Sequence, residues 1–220
     1  VNDNDTYQTL AAPSFGEFKD RGSKFLAYAF PVLSTEDFTD CLNQVKKEHP
    51  KARHFCYAYR LGRDLNNFRA NDDGEPSGTA GRPILGQIDS AGLTNVLVVV
   101  VRYFGGTLLG ASGLINAYRT SAAEALQAGE QVEKIVEDVY LLTFDYQHMS
   151  KVMNAVSRPP FSIVHQAFGE HAALEVAVRQ SEVTDALLQL KAQVAEVYLK
   201  EVAGLEEIPG FELAYLKTRE

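Results

Sequence analysis

Val96-Leu97-Val98-Val99-Val100-Val101 is an unbroken run of six aliphatic residues, five of them β-branched. Branching at Cβ favours extended backbone, and a run this apolar is too costly to solvate, so it reads as a buried strand. It is strand-length, and no stretch of the chain approaches the ~18–20 apolar residues that cross a bilayer. Upstream lies the loop Asp72-Asp73-Gly74-Glu75-Pro76-Ser77-Gly78-Thr79-Ala80-Gly81. Downstream, Arg102-Tyr103-Phe104-Gly105-Gly106 leads into a helix that starts near Gly110 and runs through Leu114, Tyr118, Ala122, Ala125 and Leu126 to Gly129.

Before this centre, residues 1–13 show no apolar period and read as an arm. Lys24–Val32 is aromatic-rich and reads as a strand ending at Pro31. Ser34 and Asp37 have capping-box spacing, and Phe38, Cys41, Leu42 and Val45 make one helical stripe that stops at His49-Pro50. Arg53–Arg60 sets Phe55, Tyr57 and Tyr59 against His54, Cys56 and Ala58, the period of a strand, with Leu65–Ala70 as its hairpin partner. Thr79 is placed to cap a short helix through Ile84, Leu85 and Ile88, where Pro83 in the first turn loses no hydrogen bond.

Beyond 131–137, read as a boundary, the pattern becomes short and regular. A strand at Val139–Tyr146 precedes a helix marked by Met149, Val152, Met153 and Val156, then a hairpin of Phe161–Phe168 and Ala172–Arg179. Ser181 is placed to cap a helix through Val183, Ala186, Leu187, Leu190 and Val194, and Ala195–Val202 reads as the closing strand. This is β-α-β-β-α-β, the ferredoxin-like order, with a further strand expected at Phe211–Tyr215. At 220 residues and 45% apolar, the chain suits two α+β domains, 1–134 and 135–220.

The polar, acidic opening is not expected to act as a signal peptide, and Cys41 and Cys56 have no metal or redox spacing. They suit reduced thiols, and the expected location is cytoplasmic. The net charge of −8 argues against a dedicated nucleic-acid binder, yet it is uneven. Residues 1–134 carry 14 basic against 16 acidic residues, and 135–220 carry 7 against 13. Residues 46–69 hold seven basic residues against two acids, so Lys51, Arg53, Arg60, Arg63 and Arg69 are candidate nucleic-acid contacts.

The 72–85 segment, Val99-Val100-Val101-Arg102-Tyr103-Phe104-Gly105-Gly106, and Leu109–Leu114 with Ala117-Tyr118 together resemble the Impact/YigZ family. Gly22-Ser23-Lys24-Phe25 and His54–Tyr59 are similar to its earlier motifs, so the resemblance covers roughly residues 15–130. Phe55, where Asn is expected, and Ala111-Ser112-Gly113, in place of a Gly-Gly pairing, depart from its pattern. The resemblance implies an N-terminal α+β domain similar to a domain of elongation factor G and of a small-subunit ribosomal protein. It implies a ferredoxin-like C-terminal domain, as in bacterial members. It also implies a setting in translational control, where eukaryotic members compete for the ribosome-associated activator of an amino-acid-starvation kinase. It implies no particular reaction.

The candidate contact surface combines the 72–79 loop with Arg102–Gly106, and its candidate binding residues are Asp72, Asp73, Gly74, Glu75, Ser77, Gly78, Thr79, Arg82, Arg102, Tyr103, Gly105, Gly106 and Arg119. The three acids suit a hard divalent cation or a turn fixed by its Asp-Gly and Glu-Pro steps; the turn is favoured, and no metal or cofactor is expected. The glycines after the strand either hold a phosphate or allow close packing. Arg102 is expected to emerge at the strand's end, with Arg82 and Arg119 converging on it, to bind an anion or pair with the loop acids. His54 and Cys56 share a face without forming an activated pair alone, so a half-buried sheet face is favoured over a nucleophile. Tyr57, Tyr59 and Phe68 are candidate stacking platforms, or core. The expected partner is the ribosome, RNA or a translation-associated protein. The alternative is a metal-assisted hydrolase working at residues 72–75.

Overall fold

The computed structural model describes residues 5–64, 66–205 and 207–219. Two compact units make up this α+β chain: Tyr7–Glu133, and the segment from Lys134 onward joined by Asp5 and Thr6.

In the first unit, β2 (Ser14–Asp20), β3 (Ser23–Pro31), β4 (His54–Arg60), β5 (Phe68–Asn71) and β6 (Val96–Tyr103) form one antiparallel sheet in the order β2-β3-β6-β4-β5. Both faces of β6 are covered, which is why its sequence does not alternate. Val96, Val98 and Val100 face a core shared with α2 (Gly81–Ser90) and α3 (Gly110–Ala128). Leu97, Val99 and Val101 face a second core with α1 (Thr35–Glu48). The two cores differ in grain. Apart from Phe25, neighbouring strands offer the small Ala27, Ala29, Cys56 and Ala58 to α2 and α3, and they offer Phe30, Phe55, Tyr57 and Tyr59 to α1. Small residues let the two helices lie close to the sheet, while a lone helix leaves a gap that rings fill. The α1 start carries the expected capping box, with the Asp37 N–H donating to Ser34 Oγ at 3.1 Å and the Ser34 N–H to Asp37 Oδ2 at 2.9 Å.

Two segments read as irregular are strands. β1 (Thr6–Leu10) pairs with β7 (Gln131–Ile135), so residues 6–10 are no arm and 131–135 no plain linker. Tyr7 and Leu10 are its buried anchors, too few to show a period. Leu65, the expected start of the hairpin partner, lies outside the described residues, and the partner itself is Phe68–Asn71.

The second unit contains β8 (Glu137–Phe144), α4 (Met149–Val156), β9 (Ser162–Phe168), β10 (Ala172–Arg179), α5 (Val183–Ala195), α6 (Leu199–Val202) and β11 (Phe211–Arg219). Its antiparallel order, β11-β8-β10-β9, is the ferredoxin-like 4-1-3-2 arrangement. The closing strand is β11, however, and not Ala195–Val202. Glu196 ends α5 in a left-handed conformation, and its neighbour Tyr198 donates its N–H to Glu201 Oε2 at 2.9 Å to start a one-turn helix. Ser181 is no cap either. Its N–H donates to Asp5 Oδ1 at 2.9 Å and its hydroxyl bonds Asp5 Oδ2, leaving Glu182 as an N-cap without a side-chain bond.

Candidate functional site

The loop after β5 is held by its own acids. Asn71 Oδ1 accepts the Asp73 N–H at 2.7 Å, a local turn that places Asp73 at a φ of 41°. Asp72 Oδ1 then accepts the N–H groups of Ala80 and Gly81 at 3.0 and 2.8 Å, and its Oδ2 accepts that of Gly78 at 2.8 Å. Asp72 is therefore the cap of α2. Thr79 is not: its hydroxyl donates to Pro76 O at 2.6 Å, and Ala80 at the N-cap offers no side-chain bond. Burial works to raise the Asp72 carboxyl, but the N–H donors and the nearby Arg82 charge prevail and hold it below its ordinary range. Asp73 Oδ2 accepts the Phe55 N–H at 2.7 Å, and Asp73 O accepts from His54 Nδ1 at 2.9 Å.

Glu75 goes deepest. Its Oε1 accepts from Arg102 Nη1 at 2.6 Å and from the Tyr118 hydroxyl at 2.9 Å, and the Glu75 and Arg102 side chains are only 4% and 7% exposed. The Cys56 thiol lies 3.0 Å from Asp72 O and 3.3 Å from Tyr118 Oη, with one hydrogen to share between them. Burial pushes the Cys56 thiol far above its ordinary pKa, and burial beside Cys56 and Glu75 does the same for the Tyr118 hydroxyl. Both stay protonated, which makes Tyr118 a donor to Glu75 and leaves Cys56 inert as a nucleophile. The Arg102 guanidinium lies 5.5 Å from the ring centres of both Phe25 and Phe104, and its Nε has no hydrogen-bond partner. The network is a clasp, tying β4, β6, α2 and α3 to one loop.

The model of the Impact N-terminal domain matches residues 21–126. The chain is 32% identical to the Bacillus subtilis IMPACT family member YvyE over 212 residues, covering 96% of this chain and 94% of that one. The chain belongs to the IMPACT family. A Thermus thermophilus IMPACT family member is 50% identical over 105 residues, which is 48% of this chain and 55% of its own. A solved structure described as a hypothetical protein matches with a TM-score of 0.66 and 27% identity, across 97% of this chain and 98% of its own.

In this IMPACT family member the expected surface residues divide into buried and exposed. Arg102 turns inward instead of emerging and takes the expected alternative of pairing with a loop acid, Glu75, while Arg82 and Arg119 stay exposed. Tyr103 belongs to the α1 side, where its hydroxyl meets His49 Nδ1 at 3.0 Å. Gly105 serves close packing: a Cβ there would sit 1.9 Å from Gly22 C, and its N–H donates to Ser23 Oγ at 3.1 Å. Gly106, at a φ of 87°, faces open space, and Gly74 and Ser77 are exposed.

The basic stretch divides likewise. Lys51, Arg53, Arg63 and Arg69 are exposed, but Arg60 is buried, paired with Asp89 Oδ1 at 2.6 Å and lying 5.4 Å over the Phe68 ring. Tyr57 and Tyr59 are core, so neither is a stacking platform. Phe104, inside the expected Arg102–Gly106 stretch, is 58% exposed. The signal was present: period two puts Arg102 and Phe104 on one face and Tyr103 on the other. In the second unit, a cavity of about 660 Å³ lined by Asp145, His171, Lys191 and Glu207 contains none of these residues.

Proposed function

We propose that this IMPACT family member is a cytoplasmic binding protein of translation. On this reading it contacts the ribosome or its RNA through the end of the first unit's sheet where β6 exits. One observation carries this: the acids that would repel or occupy a ligand are spent inside the clasp, while Phe104, Lys51 and Arg53 remain exposed. Translational control, implied by the family resemblance, supplies the setting. The same engagement of Asp72, Asp73 and Glu75 counts against a metal-assisted hydrolase, since a hard cation needs oxygens that are free to turn to it. No helix among the described residues is long and apolar enough to cross a membrane.

Co-sedimentation of the full chain with ribosomes across a salt series tests the reading. Binding should weaken steeply with salt, and a Lys51→Ala/Arg53→Ala variant should bind less with a shallower slope. No binding at low salt would remove the proposal, and a melting temperature that falls on chelation would return the hydrolase to consideration.

A further inference from the structure

β9 closes the second unit's sheet, pairing with β10 and, among the described residues, with no other strand. All seven of its residues are exposed, Ile163, Val164 and Phe168 among them. The amides and carbonyls along its outer side are thus a ready template for another strand. Charge is the usual guard of such an edge, and the other edges of the two main sheets have it. β2 carries Glu17, Lys19 and Asp20, β5 carries Arg69, and β11 carries Glu212, Lys217 and Arg219. β9, Ser-Ile-Val-His-Gln-Ala-Phe, holds no Lys, Arg, Asp or Glu. Its one guard is a bulge at Val164, which the register with β10 skips.

Charge also marks the occupant. Residues 135–220 hold 13 acids against 7 basic residues, so two copies of this half repel on average, and an uncharged strand is where they can meet. The ends of β9 complement each other. Exposed Arg158 stands at its head, in a turn closed by the Phe161 N–H on Arg158 O at 3.2 Å. Exposed Glu170 stands at its foot, in the hairpin closed by the Gly169 N–H on His171 O at 3.1 Å. Neither side chain has an ion-pair partner among the described residues. Antiparallel pairing of two β9 strands brings the head of each beside the foot of the other, basic end to acidic end. Ile163 and Phe168 lie in the rows of Val176 and Ala172, on the side of the sheet that packs α4 and α5. Those rows stop half-covered at the edge, and a second copy across a two-fold axis continues them.

We infer that β9 is a self-association edge: two copies of this chain join β9 to β9, antiparallel, into one continuous sheet with four strands from each. The inference concerns the second unit alone and stands whether or not the first binds RNA. Pairing consumes the one uncharged edge of the two main sheets, so assembly closes at two and the joined sheet ends on the charged β11 strands. Joining a single strand buries less than the ~1,200 Å² of a standard interface, so the dimer should be weak, with a Kd of roughly 10–100 µM.

Sedimentation velocity of the full chain across a concentration series tests this, with amide hydrogen exchange read at low and high concentration. The chain should pass from monomer to dimer, and exchange within 162–168 should slow as it does. Val164→Lys puts the missing charge at an exposed position that β10 does not pair, and should weaken association at least ~ten-fold with an unchanged melting temperature. Arg158→Glu makes both ends acidic and should weaken it about three- to ten-fold. Arg158→Glu/Glu170→Arg should return it to within about two-fold of the natural chain, which general damage would not allow. A chain that is still a monomer at ~1 mM overturns the inference and leaves the edge to an extended segment of another protein. A dimer that Val164→Lys leaves intact, or that forms without slower exchange in β9, joins by another surface and overturns it equally.

Discussion

Two loops of the first unit carry most of the family motif, and they are built oppositely. The 72–79 loop is rich in acid and spends it on the protein: Asp72, Asp73 and Glu75 all accept protein hydrogen bonds, with Glu75 buried and Asp73 still exposed. The 104–108 loop has no charge and is exposed at every position. Charge in a loop is therefore a poor guide to what that loop shows to solvent. A carboxylate can serve folding as a cap or a buried counter-ion, while an uncharged glycine-rich segment is left exposed.

The largest effect should come from the inward loop. Glu75→Ala strands the Arg102 guanidinium in the core and should cost about 3–5 kcal/mol, read as a fall in the urea midpoint. A Glu75→Ala/Arg102→Met double variant should recover much of that loss, because a buried ion pair is strong only against the loss of one partner. If Glu75→Ala is mild, the clasp is not what holds the loop.

Asp72→Ala should cost about 2 kcal/mol through three stranded N–H groups at the start of α2. The same residue gives a pH signature. Its folded pKa lies below the ordinary 3.8, so its contribution is complete above that value, shrinks as the pH falls below it, and is gone beneath the folded value. Acid unfolding of the natural chain should thus converge with that of Asp72→Asn only at the acid end. A constant gap at every pH would assign the difference to packing.

The outward loop should answer least in stability. Leu108, 81% exposed, should tolerate Leu108→Ser within about 0.5 kcal/mol by the same urea titration. A larger loss would mean that this loop is also part of the scaffold, and the contrast between the two would dissolve.

The sequence made the scaffold visible wherever partners are local or periodic. The β6 run, the Ser34–Asp37 box and the alternation of Phe55, Tyr57 and Tyr59 needed nothing beyond a short window. It failed where the partner is distant. Asp72 caps a helix from eight residues upstream at Ala80, hiding behind Thr79, which has the right chemistry at the wrong place. Arg60 looked free because Asp89 lies 29 residues away. Ala195–Val202 competed with Phe211–Arg219 for the last place in the second sheet, and only pairing with β8 decides between them. The clasp required four separate segments, Cys56, Asp72–Glu75, Arg102 and Tyr118, to meet in space.

The contact of Gly105 with Gly22 also divides the outward loop in time. Gly105 is pinned to the neighbouring turn and Leu109 is buried, so only Gly106, Thr107 and Leu108 span open space between them. Phe104 lies before the first pin. Its amide should relax like the strand, with an order parameter of ~0.85, while Gly106, Thr107 and Leu108 should swing on the nanosecond scale of free loops. The loop would thus begin on a still backbone and end on a moving flap.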